Sequence, residues 1–494
     1  MTKKVLAIDF GDSEGRAIVA ELKGGKIALE EIERFNNTPV TLMGTTYWDV
    51  LRLFHHVKNC LLKAKPYEVE SVAVDTWGAD FALLDRDGVL QGNPVHYRDK
   101  RTTGMVDYTT RTEIERERLY EITGTEIMEK NSLFQIESLQ LNHDSHIEGA
   151  SELLFMPDLF NYLLSGVDCT EPSIASTSQL LDAHTKQWSW EIIDDIELDT
   201  PQLPGIVPSG TVLGRLLPDI CTEMGIEPMD VIAGCGHDAQ CAVAAVPTAE
   251  KDFLYVVCGT WSLIGTELDE PLINEDTLAR NLSNETGFEG RTTLLRNIIG
   301  LWLIQESRRQ WKREGSEFTF AALEKLAAES EPLKCFIDPT APEFTAAGDL
   351  PRRIREYCEF TGQYVPKTVG EVVRCIYDSI AMKYREVKAE IEQVTGKKYP
   401  TLYLVGGGAK DAELCQAAAN ACGIPVTAGP AEATAYGNAA IQFIAKGDID
   451  GLDKAREVIR ESEELKRFEP ENCDLWEEGF RRFMEVTVEA EDKE

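Results

Sequence analysis

Residues 3–22, KKVLAIDFGDSEGRAIVAEL, join two apolar, β-branched runs through a short turn rich in glycine and acidic residues. Runs of this kind, bounded by such a turn, predict two strands of a hairpin. Residues 252–268, DFLYVVCGTWSLIGTEL, repeat the plan of strand, polar glycine-containing turn and strand with little sequence identity. The repetition predicts two α/β domains of similar topology with a cleft between them.

The segments after the first hairpin predict the rest of the first domain. Residues 26–35 alternate as a third strand, and residues 47–64 carry apolar side chains at helical spacing. Residues 69–90 predict a strand, a glycine-containing corner and a hairpin closed by Asp87 and Gly88. Three antiparallel strands, a helix and a further strand make an α/β unit.

The second half predicts the same classes of element. Residues 294–311 and 372–396 each have the apolar spacing of a long helix. Residues 401–408, TLYLVGGG, indicate a buried strand that runs into a glycine turn. Residues 409–423 follow as a helix that ends at Gly423. The charged, proline-containing stretch between the halves predicts a domain boundary, which gives domains 1–246 and 252–494.

Composition and charge limit the class of protein. A chain of 494 residues is too long for one ordinary core. Its 43% hydrophobic and 27% charged residues are typical of a globular protein. The formal net charge of −35 argues against a nucleic acid or an anionic membrane as partner, because both are polyanions. An anionic substrate would need a local positive site or a metal ion.

Cysteine usage and the first residues predict a cytoplasmic protein. The apolar run before Asp9 is too short for a signal peptide, and no run approaches membrane-spanning length. Most of the twelve cysteines stand in apolar surroundings and no CxxC occurs, which indicates buried thiols in a reducing compartment. Cys235, His237 and Cys241 stand close together, but they lack the paired spacing of zinc ligands.

The turn after the first strand has the features of a phosphate site. Its glycines let backbone N–H groups approach an anion, Ser13 adds a hydroxyl donor and Arg16 a permanent charge. Asp9, at the end of the strand, suits Mg²⁺ held through water, because Mg²⁺ keeps several waters. The alternative is an ordinary hairpin turn.

Two glycine turns in the second half have a similar character. Gly259 and Thr260 form the turn of the second hairpin and are able to cradle a phosphate. Residues 406–408 are three consecutive glycines between a strand and a helix, which leaves the backbone open to a flat ligand such as a purine. A plain turn and a loose loop are the respective alternatives.

A combination that suits a sugar stands in the first half, and a polar pair stands on an apolar segment of the second. Asp75 ends a core-like strand beside Trp77 and Gly78, and a sugar site needs a carboxylate beside an aromatic face. A packed tryptophan with a turn-capping aspartate is the commoner situation. Asn297 and Gln305 are expected on one face of an apolar helix, since they stand eight residues apart.

Residues 231–247, VIAGCGHDAQCAVAAVP, are apolar throughout except near His237 and Asp238. An uncompensated charge in apolar surroundings is costly. The pair is therefore expected either to be satisfied by local hydrogen bonds or to face a pocket that uses its charge.

Taken together, these residues resemble the FGGY family of sugar kinases, within the actin and hexokinase superfold of ribonuclease-H-like domains. The resemblance runs over essentially the whole chain and includes VDTWGADFALLD, PVHYRDKRT, MPDLFNYLLSG, GTWSLIGTE, LRNIIGLWLIQ, LVGGG and AGPAEATAYGNAA. It implies that the sugar site and first phosphate turn belong to domain 1–246, and the nucleotide site to domain 252–494.

The resemblance also implies a role for each candidate residue. Asp238 is the base that takes the proton from the attacking sugar hydroxyl, and Asp9 matches a metal-facing aspartate. The positions that resemble nucleotide ligands are Asp12, Ser13, Glu14, Gly15, Arg16, Thr260, Gln305 and Gly407. Those that resemble sugar ligands are Gly78, His237, Asp238 and Asn297. We add Asp75 to the sugar ligands because it stands beside Trp77 at the end of its strand.

Departures from the family pattern concern charge and the sugar pocket. Asp12 and Glu14 place two carboxylates beside the expected phosphates, and we expect them to point outward because aspartate is a good turn former. GHD stands where SHD is usual, and Ile174 stands near a usual asparagine. The resemblance therefore specifies the reaction better than it specifies which sugar is phosphorylated.

The implied activity is ATP- and Mg²⁺-dependent phosphorylation of a ketose at its terminal primary hydroxyl. The expected ketose is L-rhamnulose and the product its 1-phosphate, with L-fuculose or a pentulose as the nearest alternative. A non-catalytic, actin-like ATP-binding sugar sensor is an alternative of a different class. Asp238 and the DTWG motif argue against the sensor, since an ATP-only switch needs neither.

Overall fold

The computed structural model describes residues 2–11, 13–198 and 200–491. Contacts within the fold group the chain into two compact units. Unit 1 comprises Met1–Ala245, Glu267–Leu294 and Ala433–Ser462, and unit 2 comprises Val246–Thr266, Leu295–Glu432 and Glu463–Glu494. Because unit 1 takes segments from the second half of the chain, the division into 1–246 and 252–494 stays a prediction.

Unit 1 is built on a six-stranded mixed sheet. Its strands lie in the order Thr211–Arg215, Asp230–Ala233, Ser71–Thr76, Lys3–Phe10, Glu14–Lys23 and Lys26–Asn36. The three N-terminal strands pair antiparallel. Lys3–Phe10, Ser71–Thr76 and Asp230–Ala233 run parallel to one another. The hairpin of residues 3–22 and the third strand are thereby confirmed.

Shorter strands and many helices complete unit 1. The short strands are Val40–Leu42, Thr45–Tyr47, Phe81–Leu84, Glu152–Phe155, Cys169–Thr170, Gly205–Ile206 and Ser283–Thr286. The helices of five residues or more are Val50–Ala64, Met105–Thr112, Arg116–Thr123, Ser132–Leu141, Ser145–Gly149, Met156–Ser165, Trp190–Asp195, Pro218–Met224, Asp238–Ala244, Glu275–Ala279, Ala433–Ala445 and Gly451–Ser462.

The helix Val50–Ala64 shows how the sequence pattern becomes packing. Asp49 begins it, because its carboxylate accepts a hydrogen bond from the backbone N–H of Arg52 at 3.2 Å. Leu53 and Val57 follow at helical spacing and are fully buried. They join the core beneath the sheet, which holds the strand ends in place.

The second sheet repeats the order of five strands of the first. It has seven strands, in the order Ser283–Thr286, Thr292–Ile299, Trp261–Leu268, Leu254–Cys258, Leu402–Val405, Val426–Ala428 and Lys466–Phe468. The hairpin is antiparallel, and its first strand pairs parallel with Leu402–Val405, as the first and fourth strands do in unit 1. The predicted duplication of one α/β plan is confirmed.

Helices of nine residues or more complete unit 2. They are Trp302–Arg313, Phe320–Ala328, Leu350–Phe360, Val369–Thr395, Ala412–Cys422 and Cys473–Glu491. Gly423 ends the fifth of them in the left-handed conformation, with φ of 65°. Both the 372–396 helix and the helix that stops at Gly423 are confirmed.

The single helix expected over residues 294–311 is wrong. The structure places Thr292–Ile299 in the sheet and begins the helix only at Trp302. Gly300 lies at the change of direction, where a Cβ atom would stand 2.9 Å from the carbonyl oxygen of Gly259. A short apolar run fits either periodicity, and here sheet pairing decides it.

Cysteine burial and hydropathy agree with the sequence. Cys258 and Cys422 are buried, as expected, and the cysteines are free thiols. Within residues 2–11, 13–198 and 200–491, no helix combines the length and apolar character needed to cross a membrane.

Candidate active site

Three parallel strands of unit 1 bring acidic side chains to one edge of the sheet. Asp9 and Asp75 are direct partners in the register of their strands. Thr76 forms a parallel bridge with His237, and its N–H donates to the carbonyl of Gly236 at 2.8 Å. The carboxyl ends of these strands therefore place Asp9, Asp75 and His237, with Asp238 next to it, on one side of unit 1.

Asp238 begins a helix directly after the third of these strands. His237 is the N-cap of Asp238–Ala244, and Asp238 Oδ1 accepts the N–H of Ala239 at 2.7 Å. The side chain of Asp238 is 29% exposed, whereas the rest of the helix is buried. The carboxylate thus reaches the surface of unit 1 from an apolar segment, so it is not an uncompensated buried charge.

His237 lies between two carboxylates. Its Nδ1 is 3.2 Å from Glu285 Oε2, and its Nε2 is 3.6 Å from Asp238 Oδ1. Burial lowers the pKa of His237, but the hydrogen bond and charge of Glu285 and the charge of Asp238 outweigh it and raise the pKa above its usual value. Glu285 also accepts from Gln240 Nε2 at 2.9 Å. The arrangement fixes the ring and favours its cationic form.

The loop before His237 is held by the buried carboxylate of Glu171. Glu171 Oε1 accepts the N–H of Gly236 at 2.9 Å and the hydroxyl of Ser173 at 2.5 Å. The N–H of His237 donates to that same Ser173 hydroxyl at 3.2 Å. A carboxylate with several donors is a rigid anchor, so the position of the His-Asp pair is set by the fold.

Asp75 is fully buried behind the edge of the sheet. Its Oδ2 accepts Asn438 Nδ2 at 2.6 Å, and Gln442 Nε2 donates to Asn438 Oδ1 at 2.7 Å. Burial first, and then the charge of Asp9, raise the pKa of Asp75 well above its usual range, against the hydrogen bond from Asn438. Asp75 therefore belongs to a buried polar chain and presents no exposed atom to a sugar.

The helix that carries Asn438 packs very closely on the helix that begins at Asp238. A Cβ atom on Gly437 would overlap the carbonyl of Cys241. Only glycine permits this approach, which couples Asn438 and Asp238 through two adjoining helix backbones.

The first turn pairs its charges within unit 1. The guanidinium of Arg16 forms an ion pair with Asp9, its partner in the hairpin register. The carboxylate of Glu14 is half exposed and lies 2.8 Å from the guanidinium of Arg34. Glu14 thus has a cationic partner on the neighbouring strand, in agreement with an outward orientation. Asp12 lies outside the described residues.

Two of the predicted glycines in unit 1 are required by packing. A Cβ atom on Gly15 would overlap the ring of Phe35, and one on Gly78 would lie 3.0 Å from Thr177 Cγ2. Both positions bring the backbone close to a neighbour, so their glycines do not by themselves indicate a ligand. Ser13, in the same turn as Gly15, is exposed.

The aromatic face expected beside Asp75 is covered. The rings of Trp77 and Trp48 lie 3.9 Å apart between centroids, and Trp77 is buried. Both indole N–H groups donate to Asp80 Oδ2, at 3.0 Å from Trp77 and 2.6 Å from Trp48. The motif DTWG.DF therefore encodes a packed aromatic pair around a buried carboxylate.

In unit 2, the ends of two parallel strands bring the predicted nucleotide positions together. Val257 is paired with Val405, so the turns that follow them lie at one edge of the sheet. The hydroxyl of Thr260 lies 3.4 Å from Gln305 Oε1. Thr260 and Gln305 thus meet although 45 residues separate them.

Gly407 is the open member of the glycine turn. A Cβ atom on Gly406, where φ is 84°, would stand 3.0 Å from the carbonyl of Cys258, and one on Gly408 would overlap the Cys258 thiol. At Gly407 the nearest atom would be 3.9 Å away, and the residue is exposed. Two of the glycines serve packing, and Gly407 is the exposed member of the three.

The expected shared helical face of Asn297 and Gln305 is wrong. Asn297 lies on the strand Thr292–Ile299, whereas Gln305 lies on the helix Trp302–Arg313. The turn at Gly300 separates them, because close approach to Gly259 and Ser262 leaves no room for a side chain there.

Comparison with known proteins assigns the chain to a family. Residues 4–245 match the N-terminal domain of the FGGY family of carbohydrate kinases, and residues 254–446 match its C-terminal domain. The chain belongs to the FGGY family of carbohydrate kinases. It is therefore an enzyme that phosphorylates a sugar at the expense of ATP, and the alternative of a non-catalytic sensor is not supported.

Relatives match this kinase along nearly its full length. A rhamnulokinase from Bacteroides thetaiotaomicron is 39% identical over 98% of this chain and 99% of its own. One from Bacillus subtilis is 33% identical over 95% of this chain and 96% of its own. Together with the family match they confirm the resemblance seen in the sequence.

Solved structures confirm the fold of the kinase. A xylulose kinase from Lactobacillus acidophilus superposes with a TM-score of 0.82, at 15% identity, over 98% of this chain and 97% of its own. A glycerol kinase from Plasmodium falciparum, solved with ADP, superposes with a TM-score of 0.78 at 15% identity, over 100% of this chain and 98% of its own. The predicted actin and hexokinase type of two-domain α/β fold agrees with both.

The buried residues that contact and position the candidate site residues of this kinase were not identified from the sequence. Glu171 stands in small-residue surroundings without a motif, whereas Glu285 lies in the family-like stretch NEDTLARNLSNETGFEGR, residues 274–291, but was given no role. Asn438 and Gln442 had a usable signal, since they stand four residues apart on the apolar helix Ala433–Ala445 and so share one face.

Proposed function

We propose that this kinase transfers the γ-phosphoryl group of ATP to the terminal primary hydroxyl of L-rhamnulose, giving L-rhamnulose 1-phosphate and ADP. The support for the sugar is the set of rhamnulokinase relatives at 32–39% identity over nearly the whole chain. L-Fuculose and pentuloses are the competing acceptors. The glycine of GHD, at the place where the family usually has serine, precedes the two residues assigned to the sugar. A change there would alter the choice of sugar rather than the reaction.

The observation that carries the reaction is the partly exposed carboxylate of Asp238 beside the braced ring of His237. In the transfer, the sugar oxygen bonds to the γ-phosphorus, the bond from that phosphorus to the β,γ-bridging oxygen breaks, and ADP leaves. The hydroxyl proton passes to Asp238. Phosphoryl transfer needs a positioned nucleophile and one proton acceptor, and Asp238 supplies the acceptor.

The role of His237 follows from its contacts. The ring, held by Glu285 at Nδ1, lies 3.6 Å from Asp238 and positions the carboxylate of that residue. We place the His237 ring, Gly78 and Asn297 against the sugar. We assign Asp75 to positioning Asp9, its partner on the neighbouring strand, because Asp75 has no exposed atom.

The acidic edge of unit 1 has the donor chemistry that Mg²⁺ requires. Burial first, and then the charges of Asp9 and Asp238, raise the pKa of Asp75, and carboxylate oxygens are preferred Mg²⁺ ligands. Asp9 already contacts Arg16, which favours a metal held through water over direct ligation. When bound, Mg²⁺ would offset the charge of the transferred phosphoryl group.

The nucleotide is assigned to two sets of backbone and polar groups. In unit 2 these are Thr260, Gln305 and Gly407, of which Gly407 offers exposed backbone for a purine. In unit 1 they are the positions of the first turn, Asp12, Ser13, Glu14, Gly15 and Arg16. The net charge of −35 and the buried thiols support a cytoplasmic enzyme that binds neither nucleic acid nor membrane.

The proposal is tested by following ADP release with a panel of sugars at matched concentrations. The panel contains L-rhamnulose, L-fuculose, D-xylulose, L-ribulose and L-rhamnose, with glycerol as a small acceptor. We expect the largest kcat/KM for L-rhamnulose and a product phosphorylated at carbon 1 by ³¹P–¹H NMR. A higher kcat/KM for another ketose would replace the sugar but keep the kinase, whereas ADP release independent of every sugar would contradict both.

A further inference from the structure

Three cysteine thiols converge in unit 2, and none of them belongs to the residues assigned to the reaction. The Sγ atoms of Cys335, Cys358 and Cys375 all lie within 4.8 Å of one another, and all three side chains are buried. Among the residues that the structure describes, no other three cysteine, histidine or acidic side chains come together in this way. Ordinary burial of cysteine as a small apolar residue does not require such convergence.

The three thiols come from separate segments that the fold holds firmly. Cys358 is on the helix Leu350–Phe360 and Cys375 on the helix Val369–Thr395. Cys335 lies in a loop that is tied on both sides to the longer helix, since the N–H of Leu333 donates to Asp378 at 2.6 Å and that of Ile337 to Ser379 at 3.0 Å. The sulfur positions are thus preorganised by backbone hydrogen bonds.

We propose that Cys335, Cys358 and Cys375 bind a thiophilic divalent cation, Zn²⁺, as a three-thiolate site. Zinc–sulfur bonds of about 2.3 Å in tetrahedral geometry place sulfur atoms about 3.8 Å apart. The observed separations, all within 4.8 Å, need only small rotations to reach this arrangement. Each ligand thiol loses its proton to solvent on binding, and no oxidant is required.

The three thiols also form hydrogen bonds with one another. The hydrogen bonds of Cys335 and Cys375 lower the pKa of Cys358 below its usual value. The pKa values of Cys335 and Cys375 are raised by that coupling.

An adjoining cavity offers an entry path and a fourth coordination position. The cavity has room for about one water molecule and is lined by Cys335 and Cys375. Its charged lining comprises Glu331, Glu371, Asp378, Lys334 and Arg374, three carboxylates against two cations. This balance admits a cation more readily than an anion, and water from the cavity would complete a tetrahedral shell.

The test is a titration of the full-length, chelator-treated and reduced protein with Co²⁺, which reports thiolate ligation by its absorption. We expect one equivalent to produce sulfur-to-cobalt charge-transfer and intense tetrahedral d–d bands, and one equivalent of Zn²⁺ to abolish them. Cys358→Ser should lose the bands. Cys422→Ser, which removes another buried thiol of unit 2, should keep them.

Cys335→Ser, in the loop, serves as a second variant if Cys358→Ser does not fold, with circular dichroism as the measure of folding. Absence of the bands in the wild-type protein would overturn the proposal, as would their persistence in a folded Cys358→Ser or Cys335→Ser variant. Recovery of a cystine in place of two thiols, with no Co²⁺ binding after reduction, would also overturn it.

Discussion

Glu285 Oε2 lies 3.2 Å from His237 Nδ1, on the side of the ring opposite Asp238. Burial raises the pKa of Glu285, but the hydrogen bond and charge of His237 outweigh it and hold that pKa below its usual value. Glu285 and His237 therefore form an ion pair, and the partly exposed Asp238 lies on the other side of the His237 ring. A positioning residue of this kind should affect the sugar half of the reaction and leave nucleotide affinity unchanged.

Glu285→Gln should lower kcat/KM for the sugar by about tenfold, because a hydrogen bond to a charged group contributes about 1.5 kcal/mol or more. The KM for ATP should stay within about twofold. Steady-state kinetics with each substrate varied in turn measures both. Glu275→Gln, an exposed glutamate of unit 1, is the matched control. Equal losses for both substrates would point to general misfolding.

The raised pKa of His237 predicts a pH-dependent stability. A group with a raised folded pKa contributes stability that is fully present below its unfolded value of 6.5 and lost as pH rises through the folded pKa. The pKa of Glu285 is lowered from 4.5, so this residue stays ionised down to a pH below that value. The Glu285 carboxylate and the His237 cation are therefore both charged near pH 6. Urea unfolding of the wild type and His237→Asn from about pH 5.5 to 8.5 should show the largest difference at the acidic end. A difference that grows with pH would contradict the assignment.

The sequence predicted the strands and most helices of the scaffold because their periodicity is local. The two hairpins, the helix Val50–Ala64 and the helix Val369–Thr395 lie where apolar spacing placed them. Residues 294–299 were misassigned to a helix, because a short, partly apolar run fits a strand and a helix equally until a partner strand is known.

The supports of the site could not be predicted, since they depend on contacts between distant segments. Glu285 meets His237, and Asn438 meets Asp75, across long stretches of chain. The three cysteines of unit 2 also lie far apart in sequence and match no ligand spacing. Such groups become recognisable only when the topology places them together.

Asp238→Asn should lower kcat by about a hundredfold or more, the usual scale for loss of a general base. Amide and carboxylate have the same shape, so sugar and ATP binding should persist, as measured by calorimetry. Asp219→Asn is the matched control, because Asp219 also stands in the first turn of a short helix, Pro218–Met224, and is exposed. Turnover within about threefold of the wild type would remove Asp238 from the base role.

Gly437→Ala should destabilise the protein by about 1–3 kcal/mol or more, because its methyl group would overlap the carbonyl of Cys241. The strain would also displace the helix that begins at Asp238, so kcat should fall in the surviving folded fraction. Chemical unfolding and activity per folded molecule separate the two effects. Gly205→Ala has open space around its new methyl group and should leave both unchanged.

The glycine turn of unit 2 allows packing and ligand binding to be told apart with neighbouring substitutions. Gly408→Ala would drive a methyl group into the thiol of Cys258 and should lower the melting temperature. Gly407→Ala meets no atom closer than 3.9 Å and should leave the melting temperature unchanged. If Gly407 faces the nucleotide, that substitution should raise the KM for ATP several-fold at constant KM for the sugar, because a methyl group would separate backbone and purine. An unchanged KM for ATP in Gly407→Ala would show that the exposed glycine does not approach the nucleotide.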